Sequence, residues 1–336
     1  MNILITTASK NFGLLELFKD ATRNIGKLFA SNSKMVNALL IADEYVLTPL
    51  IKDESYIDFL LNYCKKNDIT AIISFFDLDL IELSKNKERF KQNGITVVVS
   101  DEETIKTCND KWLSYQFLLS IGLKQPKTYI DMEVLKQDLQ SNNVSFPLIM
   151  KPRFGWGSLS IFQIDDFDEL DVLYRKTLKE IFAIPLIKHQ SINVKDQCII
   201  VQEKMNGCEY GLDVLNDLDG IYVTSVAKKK LQMKAGCTGE AEVIDNNLFE
   251  HVAKTISSNL NHIGNIDVDF FLTDSGEKYV IDLNCRFGGQ YVFSHLAGAN
   301  FPKQIIEWLM GLPTSPANIK VKIGVSGKRV THVERY

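Results

Sequence analysis

The stretch that most constrains this chain runs from Gly264 to Gln290, GNIDVDFFLTDSGEKYVIDLNCRFGGQ. Two apolar-rich runs flank Asp274-Ser275-Gly276-Glu277, a turn cluster with glycine inside the bend, so the segment reads as a β-hairpin. Taking Ser275 and Gly276 as the loop pair sets Asp269 opposite Asp282 and Asp267 opposite Asn284, all on one face. Val268, Phe270 and Leu272 then share the other face with Leu283, Ile281 and Tyr279, as a core requires. Carboxylates placed directly across a strand pair repel, and a cation removes the conflict. Oxygen ligands without Cys or His suit Mg²⁺, which takes one or two carboxylates together with nucleotide phosphates. Arg286 adds a fixed positive charge two residues beyond Asn284. A solvated acidic rim is the plain structural alternative.

The chain of 336 residues, 45% of them hydrophobic, has room for two or three domains with real cores. A net charge of −4 supplies no overall basic field for nucleic acid or an anionic membrane, so any phosphate affinity has to be local. No apolar run approaches the ~20 residues that span a bilayer, and MNILITTASK reads as a strand and loop rather than a leader. A soluble cytoplasmic protein is expected. The six cysteines form no CxxC pair and the five histidines no HExxH, as in a reduced setting. Cys285 is read as a packed thiol in preference to a nucleophile, since no His motif stands near it.

Up to about residue 108, strand and helix signals alternate. NILIT, Val36 to Ile41, Ile69 to Phe76 and ITVVVS read as strands. FGLLELFKDA, YIDFLLNYCKK and Asp79 to Phe90 read as helices, giving a parallel Rossmann-like sheet. TTASKNFG replaces the dinucleotide fingerprint, so bound NAD is not expected. Asp77 and Asp79 follow a strand at the edge where such sheets bind ligands; Asp77 is expected to cap the next helix, with substrate contact as the alternative.

Asp110 or Asn109 can cap the helix KWLSYQFLLSIG, which Gly122 stops, and Lys111 falls in its first turn, where the helix dipole disfavours a cation unless its head is turned to an anion. In FPLIMKPRFGWGS a strand delivers Lys151 and Arg153 to its end, and Gly155 and Gly157 free the next loop to bring amides against phosphate. Asn206 to Tyr210 reads as a turn between the strands IIVQEKM and GLDVL. The backbone of Glu203 to Met205 can read an adenine edge, and Glu209 can take ribose hydroxyls. Lys228, Lys229 and Lys230 are expected at a solvated strand end, with added charge for a triphosphate as the alternative. FSHLAGANFPKQIIEWLMGLP reads as an apolar helix, and the tail IKVKIGVSGKRVTHVERY as strands with a glycine turn.

In order and spacing, DKW at 110–112, FPLIMKPRFGWGS at 146–158, VQEKMNGCEYGLDV at 201–214, GNIDVDFF at 264–271 and VIDLNCRFGGQ at 280–290 resemble the ATP-grasp superfamily. The branch is that of the carbamoyl-phosphate synthetase large subunit and short carboxylate–amine ligases. The resemblance implies an α/β fold: a Rossmann-like pre-ATP-grasp domain over residues 1–108, then a two-subdomain ATP-grasp part over 109–310 that is α+β in character. Residues 109–197 would carry the lysines and glycine loop, 198–310 the hinge strand and metal hairpin, and 311–336 strands packing on the core. It implies ATP as nucleotide and Mg²⁺ as metal, with Mn²⁺ as an alternative. Lys111 and Lys151 would meet the phosphates, Gly157 and Ser158 belong to the glycine loop, Glu203, Lys204 and Met205 hold adenine, and Glu209 takes ribose. Asp269, Asp282 and Asn284 would bind metal, and Arg286 would stand with Lys151 at the transferred phosphate. The family usually has Glu where this chain has Asp282, and often Pro where it has Cys285.

The reaction implied joins a small-molecule carboxylate to an amine through an acyl phosphate, with no nucleic-acid or membrane partner; a homodimer is a family expectation. Two alternatives are a bicarbonate- or carbamate-phosphorylating enzyme and an ATP-binding module with weak catalysis.

Overall fold

The computed structural model describes residues 1–8, 12–155, 157–234 and 236–330. Strands β1 (Asn2–Thr6), β2 (Leu28–Asn32), β3 (Glu44–Leu47), β4 (Ile69–Ser74) and β5 (Thr96–Val98) form a parallel sheet in the order β3-β2-β1-β4-β5. β1 is buried on both faces, which explains its unbroken apolar run. The helix Phe12–Thr22 buries Leu14, Leu15, Phe18 and Ala21, the three-to-four spacing of a helix lying on a sheet.

Two further sheets follow along the chain. β6 (Thr128–Tyr129), β7 (Leu148–Pro152), β8 (Phe162–Ile164) and β9 (Ile199–Glu203) make a four-stranded sheet ordered β6-β9-β7-β8. β10 (Cys208–Asn216), β11 (Tyr222–Lys234), β12 (Cys237–Val243), β13 (Gly264–Leu272), β14 (Lys278–Asn284) and β15 (Ser326–Lys328) make an antiparallel sheet ordered β14-β13-β10-β11-β12-β15. The cores reveal how these sheets are joined. Leu4, Phe29 and Ile72 of the parallel sheet share one apolar cluster with Leu212, Val268 and Phe270 of the six-stranded sheet. The four-stranded sheet has its own, drawn from Tyr129 to Val201, including Leu148, Met150 and Ile181. It is therefore a separately packed unit against a larger fused body.

Four segments fold differently from what their local pattern suggests. Val36 to Ile41 is no strand: Asn37–Ile41 forms a 3₁₀ turn that buries Ala38 and Leu39 but leaves Leu40 exposed, and the strands lie on either side of it. Cys208, Glu209 and Tyr210 belong to β10 rather than to a turn, held by pairing with β13. The long apolar helix is two helices, Tyr291–Leu296 and Phe301–Leu309, broken where Gly298 takes φ +118° and Asn300 caps the second through Lys303 N. The tail holds a short helix, Pro316–Ile319, and the single strand β15; the tail expected beyond Val330 lies outside the described residues, as do Ser9 to Asn11 of TTASKNFG and Trp156. No described helix is long and apolar enough to cross a membrane.

Candidate active site

The hairpin β13–β14 carries its acids as counted: Asp269 pairs with Asp282 and Asp267 with Asn284. Nearer the turn the count slips by one. A bulge leaves Ile281 without a partner, so Phe270 faces Val280, and Leu272 faces Lys278. Val280 and Leu283 are buried, whereas Ile281 and Tyr279, expected in the core, are only half-buried. The tip is one residue longer than a two-residue loop: Thr273 N donates to Glu277 O and Gly276 N to Thr273 O, which leaves Asp274, Ser275 and Gly276 between the paired ends. One extra residue reverses which side chains face inward.

Three lysines arrive at the acid end from three different elements. Asp110 caps the helix Lys111–Ser120 by accepting from Trp112 N and Leu113 N, which fixes where Lys111 emerges. Lys111 Nζ donates to Gly155 O at 3.0 Å and lies 3.8 Å from Asp282 Oδ1. Lys151, on β7, is buried and lies 3.6 Å from the same oxygen. Lys230, on β11, bridges Asp269 Oδ1 and Glu209 Oε1 at 2.6 Å each. Burial pulls the Lys151 ammonium below its ordinary value, opposed by Asp282. Burial alone would raise Asp282, but Lys111, Lys151 and Lys230 outweigh it and hold that carboxyl below the usual range. At Lys230, Asp269 and Glu209 overcome burial and raise the ammonium's value.

Arg153 does not join this group. Its Nε and NH2 donate to Asp110 at 2.7 and 2.6 Å in a buried fork, so the second expected phosphate cation instead anchors the start of the helix that presents Lys111. The lysine triplet is likewise not a solvated strand end. Lys228 is wholly buried on Asp213, Lys230 turns into the site, and the strand continues to Lys234. Asp77 is no cap either, since Phe76 occupies the cap position and no side chain caps the helix there. Asp77 instead accepts from Arg286 Nε at 2.8 Å and NH2 at 3.1 Å, across the seam between the N-terminal sheet and the hairpin. NH2 of Arg286 also reaches Asn284 Oδ1 at 3.3 Å.

Gln290 is a further site residue that sequence reading did not single out. Its Nε2 donates to Asp267 and, at 3.2 Å, to Asp269, and its buried Oε1 has no partner. A Cβ on Gly211 would fall 1.4 Å from that oxygen and one on Gly288 2.0 Å from Asp267 Oδ2, so both glycines make room for this contact. Burial first, then Asp269 and Asp213, push Asp267 up to about 7. Glycine in the GLDV and FGGQ motifs was the available signal. The glycine loop turns at Gly157 and Ser158, with φ +64° and +56°, and Ser158 packs against Gly236 at the β11–β12 turn. Cys285 is buried with its sulfur 3.0 Å from Ser100 Oγ, a packed thiol.

The hinge end lies apart from the charges. Glu203 accepts from Lys127 N, and Lys204 Nζ donates to Gln163 Oε1. With Met205, Phe146, Pro147, Thr273 and Tyr279 they line a cleft of about 520 Å³. Among the described residues no three His, Cys, Asp or Glu side chains form a ready-made metal cage. The oxygens of Asp269, Asp282 and Asn284 instead make a partial set of hard donors, which fits an ion that keeps positions for phosphate oxygens.

Residues 3–98 match the family described as PylC-like, N-terminal domain, and residues 108–290 match the ATP-grasp domain. The second match covers more than half of the chain. This chain belongs to the ATP-grasp family. Among ATP-grasp relatives, it is 21% identical to the carbamoyl phosphate synthase large chain of Campylobacter jejuni, over 60% of this chain and 18% of that one. It therefore spans less than a fifth of that relative's length. Similar folds include the biotin carboxylase of Campylobacter jejuni, with TM-score 0.74 and 16% identity over 97% of this chain and 74% of that one. An L-amino acid ligase from Bacillus licheniformis superposes with TM-score 0.71 and 20% identity, over 97% and 78%. At such identities these structures establish the shared ATP-grasp fold.

Proposed function

We propose that this chain is an ATP-dependent carboxylate–amine ligase that works through an acyl phosphate. The observation that carries the reading is the convergence of Lys111, Lys151 and Lys230 on Asp282 and Asp269, with Arg286 beside Asn284. Cations gathered from separate elements around hard oxygen donors suit a nucleotide's terminal phosphates better than a surface ion-pair network. In this reading residues 1–108 border the acceptor side, 109–310 bind nucleotide, and 311–336 buttress the core.

Lys111 and Lys151 take the phosphates, under a loop that includes Gly157 and Ser158. Glu203, Lys204 and Met205 hold adenine, and Glu209 offers its other carboxylate oxygen to ribose while Lys230 keeps Oε1. Mg²⁺ held by Asp269, Asp282 and Asn284, or Mn²⁺ in its place, supplies charge neutralisation at the phosphates. A substrate carboxylate oxygen bonds to the γ-phosphorus as the bond to the β–γ bridging oxygen breaks, its electron pair leaving on ADP. Arg286 and Lys151 spread the charge that develops. The amine nitrogen then bonds to the acyl carbon, the carbon–oxygen bond to phosphate breaks, and the surplus proton departs with phosphate. The separately cored four-stranded unit closes over the site and keeps water from the acyl phosphate.

Incubation with ATP, Mg²⁺ and a panel of acids and amines is expected to release ADP and phosphate only with a productive pair. Release of AMP and pyrophosphate overturns the mechanism, and ADP formation with bicarbonate alone transfers the reading to bicarbonate phosphorylation.

A further inference from the structure

Strand β11 runs on past the layer that supports it. It is buried from Ser225 to Lys228, turns Lys230 into the site, and then continues exposed from Leu231 to Lys234 before the chain reverses into β12, with Lys234 paired to Cys237. What this arm meets is the glycine loop. At its turn Gly236 takes φ +73°, and a Cβ there would fall 2.6 Å from Ser158 Oγ, 2.8 Å from Ser158 Cβ and 3.0 Å from Gly157 O. A hydroxyl can rotate away, but a Cβ and a main-chain carbonyl cannot, so the contact needs a residue without a side chain at 236. The loop itself has an unusual shape. Ser158 and Ser160 lie in the left-handed region at φ +56° and +54°, which a non-glycine residue keeps only where its surroundings impose it. The other end of the loop is tied to the site, where Lys111 Nζ donates to Gly155 O at 3.0 Å. The loop thus runs from Lys111 to the turn of the strand that carries Lys230.

Resting on the ligase reading of this centre, we infer that the end of β11 is the catch on which the glycine loop seats over bound nucleotide, with Gly236 as its positioning residue. The four-stranded unit has its own core and carries the loop, so nothing within that unit fixes how far the loop descends. The arm supplies the stop. It belongs to the six-stranded sheet that holds Asp269 and Asp282, so a loop resting on it takes its height from the same strands as the acids. Ser158 enters the space that the missing side chain leaves, and the loop then shields the phosphates from water.

The test is hydrogen–deuterium exchange of the amides from Gly157 to Ser160 in the full chain with Mg²⁺, with and without a saturating nonhydrolysable ATP analogue. In the wild type the analogue is expected to slow exchange by about tenfold or more. In Gly236→Ala the rate is expected to stay within about threefold of the nucleotide-free value. Gly236→Asn separates contact from strain, because Asn accepts a left-handed backbone yet brings the same Cβ; it is expected to behave like Gly236→Ala. Gly94→Ala is the control. Gly94 has φ +74°, and a Cβ there would meet nothing within 4 Å, so wild-type protection is expected to remain. Wild-type protection in Gly236→Ala, protection restored by Gly236→Asn, or a wild-type loop indifferent to the analogue overturns the inference. A second readout uses any acid and amine pair that turns over: Gly236→Ala is expected to release about threefold or more extra ADP per amide formed, as the acyl phosphate meets water. If no pair turns over, the ligase reading fails while the exchange result still decides the catch.

Discussion

Lys228 and Lys230 lie two residues apart on β11 and meet opposite surroundings. Lys228 is 0% exposed, and its three hydrogens have Asp213 Oδ2 at 2.5 Å, Ser294 Oγ at 2.9 Å and Val226 O at 3.3 Å. Ser294 and Asn265 bond Asp213 in turn, so charge and partner are matched within one closed circuit. Lys230 bonds Asp269 and Glu209, but Asp269 shares its neighbourhood with Asp267 and Gln290, and across the hairpin Asp282 draws Lys111 and Lys151 without direct hydrogen-bond geometry. A circuit that is complete has no use for a ligand. Lys111 and Lys151, held 3.8 and 3.6 Å from Asp282, are charges that an incoming anion and cation can complete.

The closed circuit around Lys228 opens most directly at Asp213. Asp213→Ala leaves a buried, unpaired ammonium and is expected to lower stability by about 3–5 kcal/mol, read from urea unfolding, with much of the loss recovered when Lys228→Met is added. A loss below about 1 kcal/mol would place Lys228 among the settling charges instead. Lys151→Met tests the opposite side. It is expected to reduce kcat/KM for ATP by about 10²–10³-fold, because a preorganised charge at the phosphates is lost, while stability stays within about 1 kcal/mol. Burial already disfavours that ammonium.

Acid sharpens the contrast further. His262 Nε2 bonds Val214 O at 3.1 Å, next to Asp213, its Nδ1 is buried without a partner, and burial lowers the ring to about 4. The unfolded chain binds the extra proton at ordinary histidine pH and the native state resists it. The stability contributed is therefore complete above about pH 6.5 and is lost as pH falls through about 4, on the order of 3 kcal/mol. His262→Gln should flatten the dependence of the urea midpoint on pH in that window. The smallest effect is expected from Asp282→Glu: a change of less than about tenfold in the Mg²⁺ concentration that half-activates ADP release, since the longer side chain keeps its oxygen donors between the same lysines.

The α/β class was legible because burial on both faces leaves an apolar run such as ILI, and amphipathic helices leave three-to-four spacing. The pairing of Asp269 with Asp282 was legible because strand alternation is rigid over a few residues. What escaped depends on relations that a local pattern does not encode. Asp77 and Arg286 meet only through the docking of two sheets. Arg153 looked like Lys151, two residues away, but its planar fork fits Asp110. Lys228 looked solvated because neighbouring lysines usually are, and only the partner Asp213 across β10 pays for its burial. The 3₁₀ turn at Asn37–Ile41 shows the same ambiguity, since a short apolar run does not announce its own period.

The unpaired Ile281 divides the β13–β14 ribbon into two lengths that need not move together. A bulge bends its strand locally, so the tip from Thr273 to Glu277 takes its direction from that break rather than from the pairing of the acids. The ribbon's outer half thus holds a register of its own beside the cleft that Thr273 and Tyr279 line, while the inner half alone sets Asp269 against Asp282.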